Sequence, residues 1–200
     1  MKNDQQNQTH HCSSTPCIES AMNVTHTNTK SMGTVFWITG LSGAGKTTIG
    51  QLFAKKLKLK HLNLIYLDGD QLREVFDTTN QHSQEFRKKQ ARQYSRMCAM
   101  LATQGSYVVC TTISMYQEIR DYNREKIANY KEIYIRVPME TLIQRDQKNL
   151  YTKSIKGEIN NVMGLDLPFE EPLAPDLVID NKGNNSPQSI VDDLWKFFNL

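Results

Sequence analysis

Gly40, Gly45, Lys46 and Thr47 fall at the spacing G-x-x-x-x-G-K-[ST], inside the stretch ITGLSGAGKTT that runs from Ile38 to Thr48. Glycines at such a turn let the backbone wrap closely around an anion with successive N–H groups turned inward, and a helix opening at the lysine adds its positive end. The whole run Gly40, Leu41, Ser42, Gly43, Ala44, Gly45, Lys46, Thr47 and Thr48 is therefore the expected seat of a nucleotide's phosphates. Lys46 is expected to bridge the β- and γ-phosphates and Thr47 to offer its hydroxyl to Mg²⁺, so ATP and Mg²⁺ are the expected cofactors. Two carboxylates follow in YLDGDQLR, Asp68 and Asp70. Beside a phosphate cradle a carboxylate can orient or deprotonate an acceptor hydroxyl and help hold the metal, and Asp70 is the stronger candidate of the two. Capping the next helix is the alternative for both. The base-recognition motif of guanine-specific GTPases, N-K-x-D, is not matched by NKGN at 181 to 184, which lacks the aspartate. Together these features point to a small-molecule kinase.

The cradle needs a strand before it and a helix after it, and the pattern supplies both. Short apolar runs at 34 to 39, 62 to 67, 106 to 112, 132 to 137 and 176 to 180 alternate with longer amphipathic stretches. Apolar runs linked by helices predict an α/β fold with a five-stranded parallel sheet and helices on both faces, a three-layer arrangement with ligands gathered at the carboxyl ends of the strands. Helices are predicted over Lys46 to Leu59, Ser83 to Gln104, Gln117 to Asn129 and Met139 to Arg145. A last one is opened by Ser186 as cap and Pro187 in the first turn. Along the second of these, Tyr94, Met97, Cys98 and Leu101 form an apolar stripe, while Lys88, Arg92 and Arg96 recur every four residues and share another face.

A chain of 200 residues with 38% hydrophobic content is the size of one domain, here 34 to 200, and its net charge of +3 gives no support to a nucleic-acid or membrane partner. Residues 1 to 33 carry no aromatic side chain and no apolar run resembling a signal-peptide core or a membrane span, which predicts a disordered polar tail. Cys12 and Cys17 with His10 and His11 match no common zinc-finger spacing. Cys98 and Cys110 fall in a helix and a strand pattern and are expected as reduced core residues, in keeping with a cytoplasmic protein.

The motifs GLSGAGKTT, DGDQLR, TISMY, RDQKNLY and GEINNVMGLDLPFEEP, in this order between about Phe36 and Asn181, resemble those of the adenylylsulfate kinases. The resemblance implies the P-loop kinase fold and ATP-dependent phosphorylation of the 3′-hydroxyl of adenylyl sulfate to 3′-phosphoadenylyl sulfate, the activation step of sulfate assimilation. It implies Asp70 as the base, with Asp68 beside it, and Arg73 gripping the acceptor nucleotide. Arg87 and Arg92 correspond to arginines of the family's DR-x-EN-x-RR helix, and Ser114, beside Ile113, to the serine of its ISP turn. The segment RDQKNLYTKSIK would form a basic lid, about 145 to 166, with Arg145 on the ATP side and Lys153 on the acceptor side. A homodimer is also implied.

The departures fall on the acceptor side. Phe86, Arg87, Lys88, Lys89 and Gln90 replace DR-x-EN, leaving Gln90 where the family has asparagine; Asn80, Gln81 and His82 replace leucine-glycine-phenylalanine; Met115 replaces a proline. Val162 stands where the aromatic of the family's FTG triplet stacks on the acceptor adenine, and that stacking contributes on the order of 1 to 3 kcal/mol. One branch of the family phosphorylates cytidine diphosphoramidate during assembly of phosphoramidate-decorated bacterial capsule, and TISMYQEIRDYNRE is similar to that branch. Adenylyl sulfate leads on family frequency and cytidine diphosphoramidate follows on the residue changes. A noncatalytic nucleotide-binding module is the competing class, opposed by the retention of Lys46, Thr47, Asp70 and the basic lid.

Overall fold

The computed structural model describes residues 32–200, so residues 1–31 of the predicted tail, with Cys12, Cys17, His10 and His11, lie outside the described residues, whereas Gly33, at its predicted end, is buried and donates to the Ala102 carbonyl at 2.9 Å. Five strands form one sheet: β1 (Val35–Thr39), β2 (Leu64–Asp68), β3 (Tyr107–Thr112), β4 (Tyr130–Arg136) and β5 (Leu177–Asp180). They lie in the order β2-β3-β1-β4-β5, every pairing parallel. The inner strands are the most buried, because both of their faces are covered; β1 is buried at all five positions, whereas edge strand β2 is half-buried at four of its five. β5 is an edge strand and alternates between half-buried and exposed, so the expectation of full cover on both faces fails there.

Helix α1 (Lys46–Lys58) packs with α7 (Pro187–Phe197) on one face, where Phe36 meets Phe53 and Phe198 edge to face at 5.0 and 5.5 Å. Helix α3 (Gln84–Thr103) and α4 (Gln117–Lys126) cover the other face. The predicted cap of α7 is in place, Ser186 accepting from Ser189 N–H with Pro187 in the first turn, and Ser83, predicted as the first residue of its helix, caps α3 by accepting from Phe86 N–H. Helix α4 stops at Lys126, three residues before its predicted end, since β4 already begins at Tyr130. Two of the three spaced cations of α3 serve the contact with α4, and the third, Arg96, is exposed. Lys88 pairs with Glu118 at 3.6 Å, and the Arg92 guanidinium lies 5.0 Å from the centre of the Tyr122 ring. Cys98 and Cys110 are free and buried, as expected. No helix among the described residues is long and apolar enough to cross a membrane.

At the sheet's carboxyl edge α2 (Gly69–Val75) follows β2 directly, and α5 (Met139–Arg145), with its predicted bounds, leads through a 3₁₀ turn at Gln147–Asn149 into α6 (Leu150–Ile155); the span of α2, the 3₁₀ turn and α6 did not stand out from loop in the sequence. Around that turn Asp146, Lys148 and Asn149 hold positive φ angles of 31°, 65° and 54°. Asp146 compensates by accepting the N–H groups of Tyr151 and Thr152 at 2.8 and 3.3 Å, which caps α6.

Candidate active site

The phosphate loop joins β1 to α1 and turns back sharply at three glycines of positive φ, Gly40, Gly43 and Gly45. At Gly45, with φ 94°, a Cβ would lie 3.0 Å from Asn181 Nδ2, so both conformation and space demand glycine. Lys46 is buried, and its Nζ donates to the Leu41 carbonyl at 2.7 Å. Burial pulls the Lys46 pKa down to about 8, against the opposing pull of Asp70 and Asp68. Gly40, Leu41 and Ala44 contribute backbone alone: Leu41 and Ala44 are buried, and none of the three lines the cleft that the loop opens on.

That cleft, of about 530 Å³, is bounded on one side by Ser42, Gly43, Gly45, Lys46, Thr47 and Thr48. On the other stand Asp68, Asp70, Arg73, His82, Arg87 and Gln90, with Ile113 and Lys148. The two carboxylates, only two residues apart, are in different environments. Asp68 is buried at the end of β2 and accepts four hydrogen bonds: from Thr47 Oγ1 and Thr111 Oγ1 at 2.9 Å each, from Tyr66 OH at 3.0 Å and from Asp70 N–H at 2.9 Å. Burial pushes its pKa up, but those donors outweigh it and hold Asp68 below the usual carboxylate range. Asp68 thus caps α2 and fixes the Thr47 hydroxyl at the same time. Asp70 projects from the first turn of α2 and is exposed; among the described residues its one side-chain partner is Lys148 Nζ at 2.9 Å.

The fit to Mg²⁺ follows from the donor set. Thr47 and Asp68 offer hard oxygen ligands side by side, and no cluster of three or more His, Cys, Asp or Glu is found among the described residues. Such a place suits a cation that keeps several waters and takes much of its coordination from a substrate's phosphates.

On the acceptor side Arg73 donates to Gln90 Oε1 at 3.0 Å, to the Gln81 carbonyl at 2.6 Å and to His82 Nδ1 at 2.9 Å. Arginine only donates, so Nδ1 accepts and the His82 ring proton sits on Nε2. Burial first, and then Arg73 and Arg87, lower the His82 pKa and keep the ring neutral at pH 7. Arg87 donates to the carbonyls of His82 and Asn161 at 2.9 and 3.0 Å, tying α3 to the segment before Val162. A smaller hollow of about 140 Å³ continues from the cleft past His82, Arg87 and Ile113 to Val162 and Met163.

Several expected contacts are corrected. Arg92 stacks on Tyr122 and does not line the cleft, because five residues at about 100° each place it about 140° round α3 from Arg87, facing α4. Ser114 is fully buried below the cleft floor, where its backbone meets Thr39 Oγ1; Ile113 faces the cleft in its place. Lys153 is exposed on α6 away from the cleft, whereas Lys148, held by the left-handed turn before α6, reaches Asp70. Gln90 lines the cleft but spends its amide on Arg73 and Thr78, as a brace for the arginine. Arg145 turns to backbone, donating to the carbonyls of Gly43 and Asn181 at 3.3 and 2.9 Å. Lys148, His82 and Tyr151 are the residues at the cleft and loop that spacing did not single out; the density of cations and turn residues over 145 to 156 was the only signal for the first.

A family model described as adenylylsulphate kinase matches residues 32–180. The chain belongs to the adenylylsulphate kinase family. It is 50% identical over 162 residues to a cytidine diphosphoramidate kinase of Campylobacter jejuni, covering 81% of this chain and 94% of that one. It is 38% identical over 148 residues to an adenylyl-sulfate kinase of Gloeothece citriformis, covering 74% and 84%. Among solved structures it resembles the Mycobacterium tuberculosis APS kinase CysC in complex with AMPPNP and APS, with a TM-score of 0.77 and 30% identity over 84% of this chain and 99% of that one. An adenylylsulphate kinase is an ATP-dependent nucleotide kinase, and the phosphate loop facing Asp70 across one cleft is what that activity requires.

Proposed function

We propose that the chain phosphorylates the 3′-hydroxyl of cytidine diphosphoramidate, with ATP as donor and Mg²⁺ as cofactor. The observation that carries the choice of acceptor is the hollow beyond Arg87. Val162, buried at 3% exposure, forms its wall, and His82 is the one ring that lines it among the described residues. A hollow without a stacking pair of large aromatics gives up part of the 1 to 3 kcal/mol, roughly, that a purine would gain there. The 50% identity to a cytidine diphosphoramidate kinase supports the same acceptor.

In this reading the loop amides and Lys46 hold the donor's phosphates, and Thr47, fixed by Asp68, supplies an oxygen ligand to Mg²⁺. The cation, when bound, neutralises charge on the transferring phosphoryl group. Asp70 orients the acceptor hydroxyl and takes its proton, while Lys46 and Lys148, the two lysines that line the cleft with it, bring positive charge to the oxygens between donor and acceptor. Arg73 and Arg87, braced by Gln90 and by backbone carbonyls, are placed for the acceptor's own charged groups.

Adenylyl sulfate is the second reading, supported by the 38% identity to an adenylyl-sulfate kinase and by a catalytic edge that does not depend on the base. Incubating the purified protein with MgATP and each acceptor in turn, and following ADP release and the 3′-phosphorylated product, tests both. Turnover with the cytidine compound at a kcat/KM well above that for adenylyl sulfate is expected. The reverse order refutes the assignment of acceptor, and ADP release with neither removes both.

A further inference from the structure

Three consecutive carbonyls of the phosphate loop are each held by a side chain from outside it. Ser42 O accepts from Tyr151 OH at 2.8 Å, Gly43 O from Arg145 at 3.3 Å and Ala44 O from Asn181 Nδ2 at 2.9 Å. Asn181 follows β5, whereas Tyr151 and Arg145 both belong to the lid segment. Tyr151 is the more decisive of those two. It is fully buried, its ring packs in the core, and the bond it gives to Ser42 is short; Arg145 shares its guanidinium between two carbonyls.

In a trans peptide the carbonyl of one residue and the N–H of the next point in opposite directions. Anchoring the Ser42 carbonyl toward α6 therefore turns the Gly43 N–H away from α6 and fixes it there. Glycine at 43, with φ 76°, has no side chain to hold that peptide by itself, so its orientation depends on the outside bond. The same phenol is fixed in turn by the lid, since Asp146 caps the first turn of α6 at the Tyr151 N–H.

We infer that Tyr151 is a positioning residue which couples the lid to the phosphate loop: its hydroxyl sets the Ser42–Gly43 peptide for a nucleotide's phosphates, and an occupied loop in return holds α6 in place. This rests on the kinase reading above. Bound phosphate favours the oriented peptide, the oriented peptide favours the Tyr151 bond, and by linkage each strengthens the other.

The test is Tyr151→Phe, which keeps the buried ring and deletes only the hydroxyl. AMPPNP affinity is measured by calorimetry and amide hydrogen exchange is followed over 146 to 156, with and without AMPPNP. AMPPNP binding is expected to weaken about five- to tenfold, the loss that follows when the oriented peptide falls to between about a fifth and a tenth of the free protein. Exchange over 146 to 156 is expected to slow with AMPPNP in the unaltered protein and to lose that response in the variant. A thermal melt on the same samples confirms that the variant is folded. A variant that binds AMPPNP as tightly as the unaltered protein and retains the nucleotide-dependent protection overturns the inference while leaving the kinase reading intact. Failure of the unaltered protein to bind AMPPNP overturns the kinase reading and the inference with it.

Discussion

Lys46 gives the sharpest quantitative expectation. In the free protein its ammonium is buried with one hydrogen bond, to the Leu41 carbonyl, and desolvation lowers its pKa to about 8. Phosphate binds the charged form, so ATP must find or restore the proton. At pH 7.5 about three quarters of the free protein carries it, and at pH 9 about one tenth. Apparent affinity should therefore fall about eightfold between those two values, close to the tenfold that 1.4 kcal/mol represents. ATP binding above pH 8 should also take up a fraction of a proton. Titration of AMPPNP into the protein by calorimetry, in two buffers of different ionisation enthalpy at each pH, measures both quantities. Lys46→Met should bind weakly at every pH, without the slope. An affinity that stays flat from pH 7.5 to 9, with no proton uptake, refutes the argument that burial has depressed this lysine. The sign for stability runs the other way. The folded pKa lies below the unfolded 10.5, so the burial cost is present in full below about pH 8 and is relieved as pH rises toward 10.5.

Asp70→Asn should lower kcat by about 10²- to 10⁴-fold, the range for loss of a general base, while AMPPNP affinity by calorimetry stays within about twofold. Val162→Phe places a ring at the wall of the acceptor hollow and should raise kcat/KM for adenylyl sulfate relative to the cytidine acceptor by between about fivefold and a hundredfold, read by product assays on both. Arg120→Ala removes one of the charges facing buried Glu132, 3.6 Å away, and leaves only half-exposed Arg124 to pair with it; urea unfolding should show a loss of about 3 kcal/mol.

The phosphate loop, the five strands and the long helices were legible in the chain because each is a local pattern. A glycine spacing between an apolar run and an amphipathic one needs no knowledge of the rest of the molecule, and Ser83 and Ser186 cap their helices through residues three positions away. The parallel sheet followed from the unbroken apolarity of its inner strands, and its edge strand β5 departed from that pattern in the expected physical way, one side being open. Asp68 and Asp70 were both singled out, yet spacing could not divide their roles. That division is set by Thr47, Tyr66 and Thr111, which arrive from α1, β2 and β3 to surround one carboxylate and leave the other free.

Where the sequence reading erred, the residues lay on α3 and in the lid. An angle of about 140° round α3 decides between the cleft and α4 for Arg87 and Arg92, and three left-handed residues decide between Lys148 and Lys153 for Asp70. Composition shows that cations are present on such segments, and only the backbone path decides which of them meets a partner. The sequence by itself determined a phosphate cradle on a parallel α/β sheet with an acceptor carboxylate beside it. The tertiary structure alone decided that Asp68 holds the threonine, that Lys148 reaches Asp70 and that Tyr151 and Arg145 grip the cradle from the segment between β4 and β5. Each of these contacts joins residues distant in the chain, and it exists only where packing brings a donor within about 3 Å of its acceptor.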